Sequence, residues 1–179
     1  MSTRSYRDKK PEIPASAYVD RDSILIGDVV LEDDVTIWPG AILRGDDDRV
    51  VIRKGSAVMD ASFIEAPRGG PVTVGRGCLV SHGARLHGCT VEDCALIGIG
   101  AIVLDGVTLG RGSIVAAGSV VTPGTTIPPE SLALGIPAKV ARATTDDEAS
   151  WLERELRGVR EKAKVYAKAE GEIARIARA

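Results

Sequence analysis

The chain has 179 residues and a formal net charge of −2, which suits a single domain and excludes a generally basic nucleic-acid binder. Apolar residues make up 44% of the sequence, yet the aromatic residues are only two Trp, three Tyr and one Phe, while Gly reaches 20. A chain rich in glycine and β-branched residues and poor in aromatic residues indicates many short strands joined by tight turns.

The sequence has no feature typical of export or of membrane insertion. It contains no apolar run of about 18 residues, and its N-terminal segment lacks the apolar core of a signal peptide. The three cysteines, Cys78, Cys89 and Cys94, form no CxxC motif and cannot all pair with one another. We therefore expect a cytoplasmic protein with no membrane partner and no nucleic-acid partner.

An aliphatic residue recurs at every sixth position over most of the chain, and we call these residues the anchors. A period of six fits neither an amphipathic helix nor a long alternating strand. It is typical of hexapeptide repeats, in which a short strand and a turn form one side of a triangular coil, so the sequence predicts an all-β helix of stacked coils. The anchors are Leu25, Leu31, Ile37, Leu43, Ile52, Val58, Ile64, Val74, Val80, Leu86, Val91, Ile97, Val103, Leu109, Val115, Val121 and Ile127.

The period ends near Pro128, and the composition changes from Thr145 onward. Thr145 followed by Glu148 matches a capping box at the start of a helix. We therefore divide the chain into an N-terminal arm (1–16), a repeat region (17–143) and a C-terminal α-helix (144–179). The helix should pack along the coil or a neighbouring molecule, because isolated helices are marginal in water.

The repeat register converts sequence spacing into spatial neighbours. Residues three anchors apart lie on the same side of adjacent coils, about 4.8 Å from each other. Arg44, Glu65 and His87 each directly follow an anchor, so they are predicted to stack in one column. Asp60 and His82 lie two places after their anchors on the preceding side, so Asp60 is predicted to lie beneath His82.

The chain has only two histidines, and they fall on adjacent sides of one coil. One subunit alone would not bring both to one ion, whereas a trimer would place Glu65 and His87 of one chain near His82 of another. Two His and one Glu form an acceptable ligand set for catalytic zinc, with an open position for water. Two alternatives stay open: histidines that only line a surface or interface, and a Glu65 that pairs with Arg44 or accepts a proton instead of binding metal.

Three segments resemble the γ-class carbonic anhydrases and the related ferripyochelin-binding proteins. They are Ile37–Asp46 (IWPGAILRGD), His82–Cys89 (HGARLHGC) and Gly135–Val140 (GIPAKV), and the resemblance extends over roughly residues 11–170. It implies a left-handed parallel β-helix with a C-terminal helix, assembled as a homotrimer whose sites are shared between subunits. It also implies reversible hydration of CO2 to bicarbonate by metal-bound hydroxide, with Zn2+ as the metal and Fe2+ or Co2+ as alternatives.

The resemblance also implies roles for individual residues. His82 and His87 match two of the three zinc histidines of the family. Arg44 and Asp46 match its Arg-Gly-Asp pair at the subunit interface, and Asp60 matches the acid of its Gln-Asp motif. We therefore expect Arg44, Asp46 and Asp60 to be the catalytic residues that accompany the metal.

Two positions differ from the family pattern. Glu65 stands where the family has its first zinc histidine, and Met59 stands where it has the glutamine before Asp60. A carboxylate ligand adds negative charge, so metal-bound water should become less acidic and activity at neutral pH should be weak. Met59 cannot donate a hydrogen bond to substrate or water. We nevertheless expect Glu65 to be a metal ligand together with His82 and His87.

Two other functions fit the same coil, because fold alone does not determine activity. One is a hexapeptide acyltransferase that uses a histidine as general base on an acyl-CoA thioester. The other is a catalytically silent trimer that acts as a scaffold or binds metal. The spacing of His82 and His87 favours the metalloenzyme, whereas Glu65 and Met59 favour the silent protein.

Overall fold

The computed structural model describes residues 2–176, with side chains described from residue 2 to residue 169. It is a left-handed parallel β-helix of about seven coils followed by one long α-helix, which confirms the predicted fold class. The elements are β1 (Ser2–Arg4), β2 (Tyr18–Val19), β3 (Ile24–Leu31), β4 (Thr36–Ile37), β5 (Ile42–Ile52), β6 (Ala57–Val58), β7 (Phe63–Glu65), β8 (Val72–Val74), β9 (Leu79–Val80), β10 (Arg85–His87), β11 (Thr90–Val91), β12 (Leu96–Ile97), β13 (Ile102–Val103), β14 (Thr108–Leu109), β15 (Ile114–Val115), β16 (Val120–Val121), β17 (Thr126–Ile127), β18 (Ser131–Gly135), β19 (Ala138–Ala143) and α1 (Asp146–Ile176).

Strands of successive coils pair in parallel and form three faces. Face 1 contains β2, β4, β6, β9, β12, β15 and β18, and the antiparallel strand β19 ends it. Face 2 contains the first parts of β3 and β5, then β7, β10, β13 and β16. Face 3 contains the second parts of β3 and β5, then β8, β11, β14 and β17. Because β3 and β5 turn the corner between faces 2 and 3, these two faces form one sheet.

The anchors fill the interior of the coil. Each predicted anchor has an exposed fraction of at most 4%. Complete burial of one aliphatic side chain contributes roughly 1.5–3 kcal/mol, so the stacked anchors supply the main driving force for the coil. The anchors also fix the register of each strand, because a shift by one residue would turn them outward.

The N-terminal arm continues the coil at its first end. Strand β1 pairs with β3, and Glu12 forms a bridge with Val30. A bulge lies in the next coil, where Gly45 pairs with Gly27 and Val50 with Val29, so that residues 46–49 oppose Asp28 alone. This bulge places Asp46 at the corner between faces 2 and 3, directly after the face 2 part of β5.

Helix α1 packs on the outer side of face 1. The predicted capping box is present, because the Thr145 N–H donates to Glu148 Oε2 (2.9 Å) and the Glu148 N–H donates to Thr145 Oγ1 (3.2 Å). The apolar stripe of the helix buries against the coil in a cluster that contains Leu152, Leu156, Val159, Ala163, Tyr18, Trp38, Ala57, Met59 and Leu79. Residues 177–179 of the predicted helix lie outside the described residues. Within residues 2–176, α1 has no stretch long and apolar enough to cross a membrane.

The outer sides of the other two faces differ in polarity. Face 3 carries a row of threonines, namely Thr73, Thr90, Thr108 and Thr126, at half-buried or exposed positions. Face 2 carries a row of half-buried apolar side chains on most coils, namely Ile24, Ile42, Phe63, Ile102 and Val120. Face 2 is therefore the more apolar of these two surfaces.

Candidate metal centre

The strand register brings Arg44, Glu65 and His87 into one column on face 2. Arg44 pairs with Glu65 between β5 and β7, and His87 pairs with Glu65 between β10 and β7. All three directly follow buried anchors, so their side chains leave the coil on the same face. The column predicted from the six-residue spacing is confirmed.

Asp60 and His82 lie at the corner between faces 1 and 2, in the turns that follow β6 and β9. Asp60 Oδ2 is 3.0 Å from His82 Nδ1. The two turns are also joined by the backbone, because the Gly83 N–H donates to the Asp60 carbonyl at 2.8 Å. The predicted stacking of Asp60 beneath His82 is confirmed, and both side chains remain accessible to a neighbouring molecule.

His87 has a carboxylate partner that the repeat register does not reveal. Asp105 follows β13 in the coil above, and its Oδ1 is 2.7 Å from His87 Nδ1. Asp105 stands two places after its anchor, whereas His87 stands one place after its own. The contact therefore runs diagonally between the two strands. Its only signal in the sequence is that Asp105 follows His87 by 18 positions, which is about the length of one coil.

Arg44 binds Asp46 closely and Glu65 more loosely. Arg44 Nε donates to Asp46 Oδ2 at 2.7 Å, while Arg44 Nη1 lies 3.4 Å from Glu65 Oε1. The hydrogen bond to Asp46 is the main cause that raises the pKa of Arg44, and the charge of Glu65 adds less. Within the described part of the chain, the second Asp46 oxygen, Oδ1, is buried without a hydrogen-bond partner. This geometry allows Glu65 to act either as a metal ligand beside His87 or as an ion-pair partner of Arg44.

The donor chemistry fits a metal that two chains share. No group of three His, Cys, Asp or Glu side chains able to hold an ion occurs within residues 2–176 of one chain. Each histidine has Nδ1 occupied by a carboxylate, which leaves Nε2 as the ring nitrogen for a metal. A carboxylate on the far ring nitrogen is the usual partner of a metal-bound histidine. Glu65 and His87 share one face and His82 lies around the corner, so the three predicted ligands do not meet within the described part of one chain.

Burial excludes Cys78 and Cys89 from this ligand set. Desolvation raises the pKa of Cys78 and of Cys89 to about 12, so both thiols stay protonated at neutral pH. Cys94 is exposed. Met59, at the position of the family glutamine, is 9% exposed and packs in the cluster under α1.

The polar residues of face 2 are bordered by apolar side chains. Ile99 is 59% exposed, and in the coil above it occupies the same position of the corner turn as His82 does. Half-buried Ile102, Leu104 and Val120 continue the apolar surface in the coils above His87. This surface therefore combines polar side chains with exposed and half-buried apolar ones.

The chain matches known hexapeptide-repeat proteins in sequence and in structure. Residues 88–123 match the family model "Bacterial transferase hexapeptide (six repeats)". The chain is 39% identical over 161 residues to a carbonic anhydrase of Geobacillus kaustophilus, covering 90% of this chain and 88% of that protein. It is 35% identical over 151 residues to the carnitine operon protein CaiE of Escherichia coli K12, covering 84% and 77% of the two proteins.

A solved structure has the same architecture. The crystal structure of a putative acetyltransferase from Bacillus cereus superposes with a TM-score of 0.86 at 34% sequence identity, covering 94% of this chain and 98% of that one. The chain therefore belongs to the γ-carbonic-anhydrase-like family of hexapeptide-repeat proteins.

Proposed function

We propose that this chain is a γ-carbonic-anhydrase-like metalloenzyme that reversibly hydrates CO2 to bicarbonate at sites shared between the subunits of a homotrimer. One observation carries the proposal. Each histidine has Nδ1 held by a carboxylate of an adjacent coil, at 3.0 Å for His82 and 2.7 Å for His87. This arrangement prepares both rings to bind a metal through Nε2.

The homotrimer is supported by the surface of face 2. Its apolar rows are half-buried in one chain, and Ile99 is 59% exposed. Among the described residues, Asp46 Oδ1 is buried and lacks a partner, which a donor from a second subunit would supply. Threefold symmetry would place face 2 of one subunit against the corner that carries His82 in the next.

The proposed ligands are Glu65 and His87 of one subunit and His82 of its neighbour. Two imidazoles and one carboxylate suit Zn2+, with Fe2+ or Co2+ as alternatives, and leave one position open. When bound, the metal supplies a Lewis acid that lowers the pKa of water and so provides a nucleophile near neutral pH.

The other residues of the site hold these groups in place. Asp60 orients His82 through Nδ1. Asp46 holds the Arg44 guanidinium in the column beside Glu65. The apolar border formed by Ile99 and Leu104 would keep the site poor in water and accessible to uncharged CO2.

A cytoplasmic location is part of the proposal. All three cysteines are free thiols in the structure, and two of them are buried. Free thiols are the usual state in a reducing compartment.

The direct test of the activity uses protein loaded with Zn2+, Fe2+ or Co2+ in separate preparations. Stopped-flow measurement of CO2 hydration should detect activity that is low near pH 7 and rises on the alkaline side. His82→Ala and His87→Ala should remove it. If every fully loaded form lacked CO2 hydration between about pH 6 and 9, the proposed activity would be wrong.

Acyl transfer is a second candidate function, because the superposed Bacillus cereus protein is titled a putative acetyltransferase. The Asp60–His82 pair at 3.0 Å would serve as an oriented general base for that reaction. Acetyl-CoA turnover that depends on His82 and needs no metal would favour this function. A trimer that carries stoichiometric metal yet neither hydrates CO2 nor consumes acetyl-CoA would instead be a scaffold.

A further inference from the structure

We propose that Asp105 is a positioning residue of the metal centre, which fixes the ring and the tautomer of His87 so that Nε2 faces the ion. The observation is the 2.7 Å contact between Asp105 Oδ1 and His87 Nδ1. The inference rests on the proposed function only in taking His87 as a metal ligand. The hydrogen bond itself is a property of the metal-free chain.

The backbone clamps Asp105 in this place from two sides. The Gly106 N–H donates to the Gly88 carbonyl at 2.7 Å, which ties the Asp105 turn to the coil below. The Gly124 N–H donates to the Asp105 carbonyl at 2.8 Å, which ties the same turn to the coil above. A carboxylate carried by a turn held in this way can hold its partner in one orientation.

The residue after His87 leaves room for the carboxylate. Gly88 has a φ of +53°, and a Cβ atom built there would lie 2.6 Å from Asp105 Oδ1. Any side chain at Gly88 would therefore push the carboxylate away from His87. The glycine meets two requirements at once, the left-handed turn and the approach of Asp105 to the ring.

The chemistry of the contact determines the tautomer of His87. A carboxylate accepts hydrogen bonds and donates none, so Nδ1 must carry the proton. In the neutral ring the lone pair then resides on Nε2, which is the form that binds a metal. Asp60 does the same for His82 from the coil below, so the two carboxylates approach their rings from opposite directions along the stack.

The first measurement requires no metal and no enzymatic activity. Long-range 15N–1H NMR of the metal-free protein at alkaline pH reports which ring nitrogen of each histidine carries the proton. Wild-type His87 should be protonated on Nδ1, and Asp105→Ala should shift it toward the Nε2-protonated form while His82 stays unchanged. An unchanged His87 tautomer in Asp105→Ala would overturn the proposal.

The second measurement is metal affinity, by competition of Zn2+ or Co2+ between the protein and a chelator. Asp105→Ala should weaken affinity by about 10- to 100-fold, as loss of such a partner usually does. Asp105→Asn should lose less, because its amide oxygen still accepts from Nδ1. The matched control is Asp93→Ala. The Asp93 carboxylate also contacts the coil below, where it accepts a hydrogen bond from the Arg76 N–H at 2.7 Å, but Asp93 lies in the turn after face 3. The metal affinity of Asp93→Ala should equal that of the wild type.

The outcomes separate this inference from the proposed activity. A tautomer shift with unchanged affinity in Asp105→Ala would overturn the positioning role. Equal losses in Asp105→Ala and Asp93→Ala would also overturn it, because the effect would then be a general loss of coil stability. The expected losses in a protein that binds metal but does not hydrate CO2 would support the role of Asp105 and contradict the proposed function alone.

Discussion

His87 and Glu65 are paired residues of adjacent parallel strands, so one subunit presents an imidazole and a carboxylate one above the other on face 2. Paired residues of neighbouring strands are about 4.8 Å apart, which lets both side chains reach one ion. His82 is separated from them by a corner of the coil. The association of subunits and the binding of metal are therefore expected to depend on each other.

The first prediction concerns assembly through face 2. The wild type should have a mass of three times 18.8 kDa by light scattering. Ile102→Glu should dissociate it, because a carboxylate would be buried in an apolar interface. The control is Thr108→Glu, at a half-buried position of the same coil on face 3, which should remain trimeric. A trimeric Ile102→Glu or a dissociated Thr108→Glu would place the interface elsewhere.

The second prediction concerns the charge of Glu65. Glu65→His should increase CO2 hydration near neutral pH and move the pH profile to lower values. The reason is that a neutral imidazole offsets less of the charge of the metal than a carboxylate does. Stopped-flow assays over a pH series with equal metal loading would measure the shift.

Glu65→Gln separates the two roles that the geometry allows for Glu65. If Glu65 is a ligand, the glutamine variant should bind Zn2+ much more weakly in chelator competition, because an amide oxygen is a poor zinc ligand. Unchanged affinity would show instead that Glu65 serves only as the 3.4 Å partner of Arg44.

The third prediction concerns the pH dependence of stability at the start of α1. The hydrogen bond from Arg142 is the main cause that lowers the pKa of Glu148 from 4.5 to about 2. A carboxyl whose pKa is lowered by folding stabilises the protein above its unfolded pKa, and this contribution is lost as the pH falls from about 4.5 to about 2.

Glu148→Gln tests this contribution with a side chain of the same size. Near pH 6 the variant should unfold at a lower temperature, by an amount that corresponds to roughly 0.5–1 kcal/mol for a partly exposed cap and ion pair. The two melting temperatures should converge as the pH approaches 2. A constant difference over the whole range would show that the carboxylate charge contributes nothing.

The six-residue period is sufficient to predict the fold and the backbone of the site. It identifies the buried anchors, and the anchors determine which residues stack across coils. Arg44, Glu65 and His87 form one column and Asp60 lies beneath His82 because the side-chain direction in a short strand follows directly from the distance to the anchor.

Contacts across a turn cannot be predicted in the same way. Asp105 reaches His87 diagonally because of the turn at Gly88, whose left-handed φ the spacing does not encode. The apolar stripe of α1 predicts that the helix packs on the coil but not which face it covers. The burial of Met59 beneath α1 therefore appears only in the structure.

The most direct test of a shared metal centre is the metal content of mixed trimers. Homotrimers of His82→Ala and of His87→Ala should each bind no stoichiometric metal, because every site lacks one histidine. Co-expression of equal amounts of the two variants with different tags allows mixed trimers to be purified. In them, some interfaces join the intact His87 of one chain to the intact His82 of another.

Unfolding and random reassembly of the two variants in equal amounts would give about one quarter of interfaces with both histidines, by the symmetry of a cyclic trimer. Metal analysis of this mixture should recover close to that fraction of the wild-type content. If the mixture bound no more metal than the single-variant homotrimers, the metal centre would not be shared between subunits.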